Sequence, residues 1–529
     1  MAAPTTPIKL PDTADASPDN FDVIGTKKGF LVAWTEGDFD HSVEVQRFKA
    51  NGDPIGKPVT LEPPSAFIGA DPNLVALGGD KFGVVWSGSD TLESTVFNAA
   101  TGKAGKPVAL NDLPAGVGHE LTHLANGHVA LLSSFQKFGD ETTTLTILDA
   151  SMKPLGAPRT VSVAADPFEQ NGSEHATVLA DGSGGIAYYR TETGAIDAVS
   201  FDASGKLGKA FQVNTTKVGD INFDRRDFTV EAEHLASGGH VVVWQSGDDV
   251  RARVYDSHGK AAGKDFLVEQ DVGGQHANPE ILTFDKGFAI AWHATPEEDA
   301  FSREATQVMR FFDDHGVAIS DEITTEYFGA AGASGIEEPA QAAEYTKLAD
   351  GSYVKVFNDS ANGFTGEGVY YVDGIPKPSF GSAKADKITG KSGDDIVLGA
   401  AGKDKLKGAD GADTLDGGGD KDKLDGGAGD DQLIGGAGND VLKGGGGQDV
   451  FMFRPGGGTD KVSDFSAAGD RLDVTAFHYD QFQDVLDHAV QKGADVLIKL
   501  VDQNDPRGAG AVLLQHVTLS DLAPDDFIV

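Results

Sequence analysis

Apolar residues recur in a long-period pattern over the first 380 positions. An apolar run ends in Leu, a Gly/Asp turn follows, and a second apolar run ends in an aromatic residue. FDVIGTKKGFLVAW ends at Trp34, NLVALGGDKFGVVW at Trp86, EAEHLASGGHVVVW at Trp244, ILTFDKGFAIAW at Trp292 and YTKLADGSYVKVF at Phe357. TVLADGSGGIAYY and THLANGHVALLS are weaker copies. A third run ends at Phe48, Phe97, Phe201, Tyr255 or Phe312, just before an Asn/Asp/Gly turn, and a short fourth run follows, as in KPVTL, KPVAL and FQVN. Short apolar runs punctuated by such turns predict β-strands and hairpins. Four strands recurring about every 45–60 residues predict a β-propeller. Seven units start near residues 20, 71, 119, 174, 229, 278 and 342. The seventh lacks a fourth strand, and PIKL at residues 7–10 supplies one, so the ring closes without an open edge. The expectation is a seven-bladed propeller over residues 1–378, with an array of β-sandwiches as the structural alternative.

From Gly381 the period shortens to nine residues. Eight consecutive units begin at Gly381, Gly390, Gly399, Gly408, Gly417, Gly426, Gly435 and Gly444. The sixth position is always Asp: Asp386, Asp395, Asp404, Asp413, Asp422, Asp431, Asp440 and Asp449. The eighth is always apolar, from Ile388 and Val397 through Leu406, Leu415, Leu424, Leu433 and Leu442 to Phe451. One hard oxygen donor per turn suits Ca²⁺, which accepts several oxygens in flexible geometry. Glycines permit the turn and leave carbonyls facing a cation. The apolar residue sits on a short strand and points inward, so stacked turns bury one aliphatic ladder. Without the cation the aligned aspartates repel, so folding is expected to need calcium. The first unit, GSAKADKIT, is degenerate and reads as a cap.

This G-G-x-G-x-D-x-U-x pattern resembles the calcium-binding repeat of RTX (repeat-in-toxin) proteins. The resemblance implies a parallel β-roll over residues 379–455 that binds several Ca²⁺ ions. The ligands expected are Asp395, Asp404, Asp413, Asp422, Asp431, Asp440 and Asp449. Gly417, Gly426, Gly429, Gly435, Gly438, Gly444 and Gly447 would add carbonyls. FMFRPGGGTDKVSDF resembles the flank of such repeats and offers Asp460 and Asp464 as further ligands. The long-period units in turn resemble repeats of large secreted adhesin-like RTX proteins. Residues 456–529 are expected to form a small C-terminal cap. Within it Phe482, Val485, Leu486, Ala489 and Val490 follow helical spacing. The ending LSDLAPDDFIV resembles the uncleaved C-terminal signal of type I secretion, which implies the type I secretion machinery as a partner and an extracellular or cell-surface location.

Composition narrows the choices. With 82 acidic and 43 basic residues among 529, the formal net charge is -39. Such a chain repels nucleic acid and anionic membranes. Cys is absent, which excludes a disulfide framework, a thiolate nucleophile and Cys-type zinc sites. The start MAAPTTPIKL has no basic n-region or apolar core expected of a Sec signal, and no apolar run is long enough to span a bilayer.

One short motif suggests another chemistry. His119-Glu120-Leu121-Thr122-His123 matches H-E-x-x-H, which on a helix sets two histidines on one zinc. Leu124 aligns with Leu77, Leu179, Leu235 and Leu348, so the motif falls on the first strand of the third unit. There residues 119 and 123 lie about 13 Å apart and cannot share a metal. Zinc proteases linked to RTX repeats also need a Gly and a third His where Asn126 and Val129 stand. The match is read as chance. First strands of a propeller line its channel, however. His119, His175 and His276, with Glu174, Glu231, Glu233, His234, Glu337 and Glu338, are candidates for a convergent metal or catalytic site. Trp34, Trp86, Trp244 and Trp292 are periodic and read as packing between blades.

The chain is thus expected to be all-β: a propeller, a calcium-binding roll and a cap. The leading functional expectation is a non-enzymatic secreted protein whose propeller binds a polysaccharide or another cell-surface ligand. The alternatives are an extracellular polysaccharide hydrolase or lyase using the channel His and Glu residues, and a component of a calcium-dependent surface array.

Overall fold

The computed structural model describes residues 8–9, 16–36, 41–65, 72–88, 91–114, 118–137, 140–165, 176–182, 184–191, 195–216, 230–247, 249–270, 275–295, 306–327, 343–358, 369–467, 469–479, 481–502 and 509–529. They form an all-β chain, a propeller-like arrangement followed by a parallel β-solenoid.

Six antiparallel sheets are each made of consecutive strands, over residues 16–65, 73–114, 118–165, 176–212, 230–267 and 275–327. A further sheet joins Ala343–Lys347, Tyr353–Asn358 and Val369–Ile375 to Ile8–Lys9. Ile8 pairs with Tyr371 and Lys9 with Tyr370. Ile8–Lys9, the described part of PIKL, is therefore the fourth strand of this sheet. The hairpins after the third strands share one device. Asp202, Asp256 and Asp313 each accept two backbone N–H groups from their own turn. The Gly three residues on takes a left-handed conformation, with φ of 75° at Gly205, 70° at Gly259 and 80° at Gly316. In the third unit Asp149 does the same and Met152 fills the glycine place at φ 64°.

Neighbouring sheets share cores. Trp34, Trp86, Trp244 and Trp292 are 0–1% exposed. Each clusters with apolar residues of the preceding sheet: Trp34 with Val354 and Val356, Trp86 with Leu31 and Ala33, Trp244 with Leu179 and Tyr188, Trp292 with Val241 and Val243. The periodic tryptophans are packing residues. Trp86→Ala is expected to cost about 3–5 kcal/mol. A thermal melt in calcium should show it as a lower Tm for the propeller. A loss below about 1 kcal/mol would contradict this packing role.

In the solenoid, successive nonapeptide units fall alternately on two parallel sheets. One sheet runs through Ser379–Phe380, Ile396–Leu398, Thr414–Asp416, Gln432–Ile434 and Val450–Met452. The other runs through Lys387–Thr389, Lys405–Asp410, Lys423–Ala428 and Val441–Gly446. Units 18 residues apart are in register, as Leu406 on Leu424 and Leu424 on Leu442. The eighth-position residues Val397 through Phe451 point inward and are 0–2% exposed. They form one core that continues into Val462, Leu472, Ile498, Val512 and Leu514.

That continuity changes the picture of the C-terminal region. Both sheets run on past residue 455. Thr459–Val462 and then Gly510–Leu514 extend one, and Arg471–Asp473 and Phe527–Ile528 extend the other. The helix expected through Val490 is only Phe482–Leu486. Ala489–Lys492 is instead a strand, in a hairpin with Asp495–Leu500 that turns at Gly493 with φ 67°. A left-handed glycine between two β-forming runs outweighs the helical spacing.

The two parts of the chain pack together. Leu398, Ile434, Val450 and Met452, on the outer face of the first solenoid sheet, cluster with Leu282, Met309, Phe311 and Tyr353. The Asp321 N–H donates to Asp416 Oδ2 at 2.8 Å, and Arg454 donates to the Glu322 carbonyl at 3.2 Å. Burial, with Asp321 beside it, pushes the Asp416 carboxyl up.

Candidate calcium sites in the solenoid

Each sixth-position Asp divides its two oxygens between different tasks. Oδ1 accepts the backbone N–H of the Asp one same-face unit upstream. Asp404 N–H donates to Asp422 Oδ1 at 2.7 Å, Asp413 N–H to Asp431 at 2.9 Å, and Asp422 N–H to Asp440 at 2.8 Å. This ladder fixes the side-chain rotamers turn after turn. Oδ2 points the other way. In Asp404, Asp413, Asp422, Asp431 and Asp440 it is buried without a hydrogen-bond partner. These five orphaned carboxylate oxygens stand in two files, Asp404, Asp422 and Asp440 along one and Asp413 and Asp431 along the other, and are costly unless something fills the space before them.

The first glycine of each unit leaves that space. A Cβ on Gly408 would lie 2.1 Å from Asp413 Oδ2 and 2.5 Å from the Gly426 carbonyl. On Gly426 it would lie 2.2 Å from Asp431 Oδ2 and 2.7 Å from the Gly444 carbonyl. Gly417 and Gly435 stand likewise beside Asp422 and Asp440. The fourth-position Gly429 and Gly447 adopt φ of 126° and 146°, over carbonyls of the preceding same-face unit. Gly438 lies over the Asp420 carbonyl. Each file therefore offers hard carboxylate and carbonyl oxygens around cradles that a methyl group would block. This donor set fits Ca²⁺.

Charge and burial agree with that fit. Burial pushes Asp413, Asp440 and Asp449 up to about 6, and Asp422, Asp431 and Asp460 up to about 7. Facing carboxylates add to the rise at Asp413, Asp422, Asp431, Asp449 and Asp460.

The ends of the files differ from their middles. Asp386 Oδ2 accepts the amide and hydroxyl of Ser382, both at 2.7 Å, which holds its carboxyl below the usual range. Asp395 Oδ2 accepts the Lys391 N–H. Neither presents an orphaned oxygen, although Asp395 is among the expected ligands. Asp460 takes a rung of the ladder, accepting the Asp440 N–H at 2.9 Å. Asp464 does not, since its two oxygens accept the N–H groups of Gly444 and Gly445, each at 3.0 Å. The rung above Asp449 is filled by Asp470, at 3.0 Å. Sequence reasoning passed over Asp470 because the turn before it breaks the nine-residue count. The usable signal was the Asp-x-apolar triplet, kept in Asp460-Lys461-Val462 and Asp470-Arg471-Leu472.

The candidate channel residues are placed separately. His119 lies on the strand Gly118–His123, is 4% exposed, and sets Nε2 3.4 Å from the Val85 carbonyl. His276 is buried, with Nδ1 3.9 Å from Glu269 Oε1. Burial pushes Glu269 up to about 8, and it accepts the Val250 N–H. Glu231 accepts the Ile281 N–H of the next sheet at 3.1 Å, and His234 Nε2 lies 2.6 Å from the Ala180 carbonyl of the sheet before. These side chains stitch neighbouring sheets together. His175, Glu174, Glu337 and Glu338 lie outside the described residues. Among the described residues, no three His, Asp or Glu side chains form a metal-holding group. The solenoid instead offers one carboxylate per turn beside backbone carbonyls.

Residues 380–460 match the RTX calcium-binding nonapeptide repeat in four copies, at 380–415, 398–433, 416–451 and 425–460. No curated protein matches the chain. Among solved structures it is similar to the polysaccharide lyase Uly1, at 8% identity over 68% of this chain and 90% of that one, with a TM-score of 0.43. The β-propeller domain of the Trilobed protease from Pyrococcus furiosus aligns at 12% identity over 69% and 97%, with a TM-score of 0.40. The lectin SapL1 in complex with alpha methyl fucoside aligns at 10% over 59% and 97%, with a TM-score of 0.35.

Proposed function

We propose that this RTX-repeat chain is a secreted calcium-binding protein whose solenoid folds on calcium after export and whose N-terminal domain presents loops to an extracellular or cell-surface ligand, a polysaccharide in the first instance. The observation that supports it most is the two files of orphaned carboxylate oxygens in glycine cradles. Asp404, Asp413, Asp422, Asp431 and Asp440 would hold the ions together with glycine carbonyls, and Asp449 and Asp460 would extend the files. When bound, calcium would supply the positive charge that offsets the repulsion between the aligned carboxylates.

In this reading the N-terminal domain, residues 1–378, is a seven-bladed propeller. The six contiguous sheets are six blades, and Ile8–Lys9 completes the seventh. The roll over 379–455 and the region 456–529 form one continuous solenoid. The segment Phe527–Ile528 pairs with Leu472–Asp473 and Asp526 is 4% exposed, so a C-terminal type I secretion signal would be read before folding and hidden after it.

Calcium titration of the stripped protein, followed by circular dichroism and light scattering, tests this reading. Strand signal should rise with calcium at constant mass. Mass rising with calcium would favour the surface-array alternative, and no response would remove the reading altogether. Gly426→Ala sharpens the test, because its methyl group enters the cradle before Asp431. Calorimetric stoichiometry should fall by about one ion. An unchanged stoichiometry would show that the cradle is not where calcium sits.

A further inference from the structure

The two outer faces of the solenoid differ in a way that the nine-residue pattern alone does not show. Alternate units lie on alternate sheets, so their seventh and ninth residues point out on opposite sides. On the even units these residues include Ile396, Leu398, Ile434, Val450 and Met452, which pack on or beside the N-terminal domain. On the odd units they are mostly lysine. Of the nine lysines between residues 381 and 452, eight fall on odd units and only Lys391 on an even one. Lys387 is in register with Lys405, and Lys405 with Lys423. Lys461 continues the file beyond Val441. A second file holds Lys407, Asp425 and Lys443, where Lys443 pairs with Asp425 at 2.9 Å. Lys387, Lys405, Lys407 and Lys423 are exposed.

We infer that this lysine ladder is a docking surface for a linear anionic polysaccharide carrying a carboxylate on each successive sugar. Three features point to that occupant. The chain as a whole carries -39, so a row of cations on one free face is a local reversal of sign. Parallel strands stack about 4.8 Å apart. One cation per strand along the solenoid axis then matches one carboxylate per pyranose ring along an extended glycan. The ladder is also at most two side chains wide. A single glycan chain lies within it, whereas a duplex or a bilayer would press against the surrounding acidic surface. The lysines stand on the face opposite the apolar one packed on the N-terminal domain, so the surface is independent of any ligand held by the propeller.

Each exposed ion pair contributes little, so the ladder acts by number and its binding weakens with salt. The test uses full-length, calcium-loaded protein and an oligomannuronate too short to gel with calcium. The quadruple variant Lys387→Gln, Lys405→Gln, Lys407→Gln, Lys423→Gln should weaken binding at least about tenfold. The matching Lys→Arg variant should bind as the parent does. Raising salt from 50 to 500 mM should abolish parent binding. The calcium response of both variants should match the parent, which separates lost docking from lost folding. Equal binding by the glutamine variant, or equal binding of a neutral glucan, would overturn the inference. So would tighter binding to duplex DNA or to anionic vesicles than to the uronate. Binding that survives in the glutamine variant and is displaced by neutral sugars would belong to the propeller and would leave its proposed role intact.

Discussion

In EDTA at pH 7.5, residues 381–462 are expected to lose their strands while the N-terminal sheets keep theirs. The reason lies in the two files of carboxylates. Five buried Oδ2 atoms have no partner, and their groups face one another across successive turns. At this pH Asp413, Asp422, Asp431 and Asp440, pushed up to about 6–7, are mostly ionised, and the fold must hold them side by side without compensation. Calcium reverses the balance. A site held at 100 times its Kd contributes about 2.7 kcal/mol, so five such sites contribute on the order of 13 kcal/mol. That is comparable to the whole stability of an ordinary domain. Hydrogen exchange at the Leu406, Leu415, Leu424 and Leu433 amides is the direct measurement. Their protection should collapse in EDTA, while the Val32, Val84 and Val243 amides of the propeller sheets stay protected. Unchanged protection at the leucines would mean that the aliphatic ladder alone holds the solenoid.

The second large effect is on pH, and its sign differs with and without calcium. Burial pushes the folded carboxyls of Asp413, Asp422, Asp431, Asp440, Asp449 and Asp460 up to about 6–7, against about 3.9 for an ordinary aspartate. The folded state therefore binds protons more readily than the unfolded one, and the calcium-free solenoid loses stability as pH rises through about 4 to 7. Protons stand in for calcium below that window. In EDTA, urea midpoints should be higher at pH 5 than at pH 8. With calcium the dependence inverts, since the ligands must be ionised to bind it. Affinity should fall by about tenfold per pH unit below 6 for each carboxylate that must lose a proton. A calcium-free solenoid that is more stable at pH 8 than at pH 5 would contradict the buried, like-charged setting of these groups.

Much of this was legible in the sequence because the signals repeat. The nine-residue register predicts the inward apolar residues from Val397 to Phe451, and these form one buried core. The Leu-to-aromatic pattern predicts the strand pairs ending at Trp34, Trp86, Trp244 and Trp292, and of the predicted PIKL strand Ile8–Lys9 is present. HELTH was read as strand, and the strand Gly118–His123 is where it lies. What escaped was what depends on register in space. Asp470 joins the ladder across a turn of changed length, and Asp464, two positions past Val462, caps a turn. The hairpin at Gly493 cut short a helix that spacing alone favoured. The unlike faces of the solenoid became visible only once alternate units were assigned to alternate sheets. Leu398 and Lys407 both occupy ninth positions, yet one is packed and the other exposed.

The strand Ile8–Lys9 has a kinetic consequence. It hydrogen-bonds to Val369–Ile375, which leads directly into Ser379–Phe380, the first strand of the solenoid. The six contiguous sheets each form from neighbouring segments, but this last sheet needs both ends of the N-terminal domain at once. Its formation carries the loop-closure entropy of the whole domain and is expected to be the slowest step. Until then Val369–Ile375 is an open edge, able to accept the same short strand from a second chain. A solenoid already consolidated by calcium fixes one end of that edge in place and shortens the time for which it stays exposed.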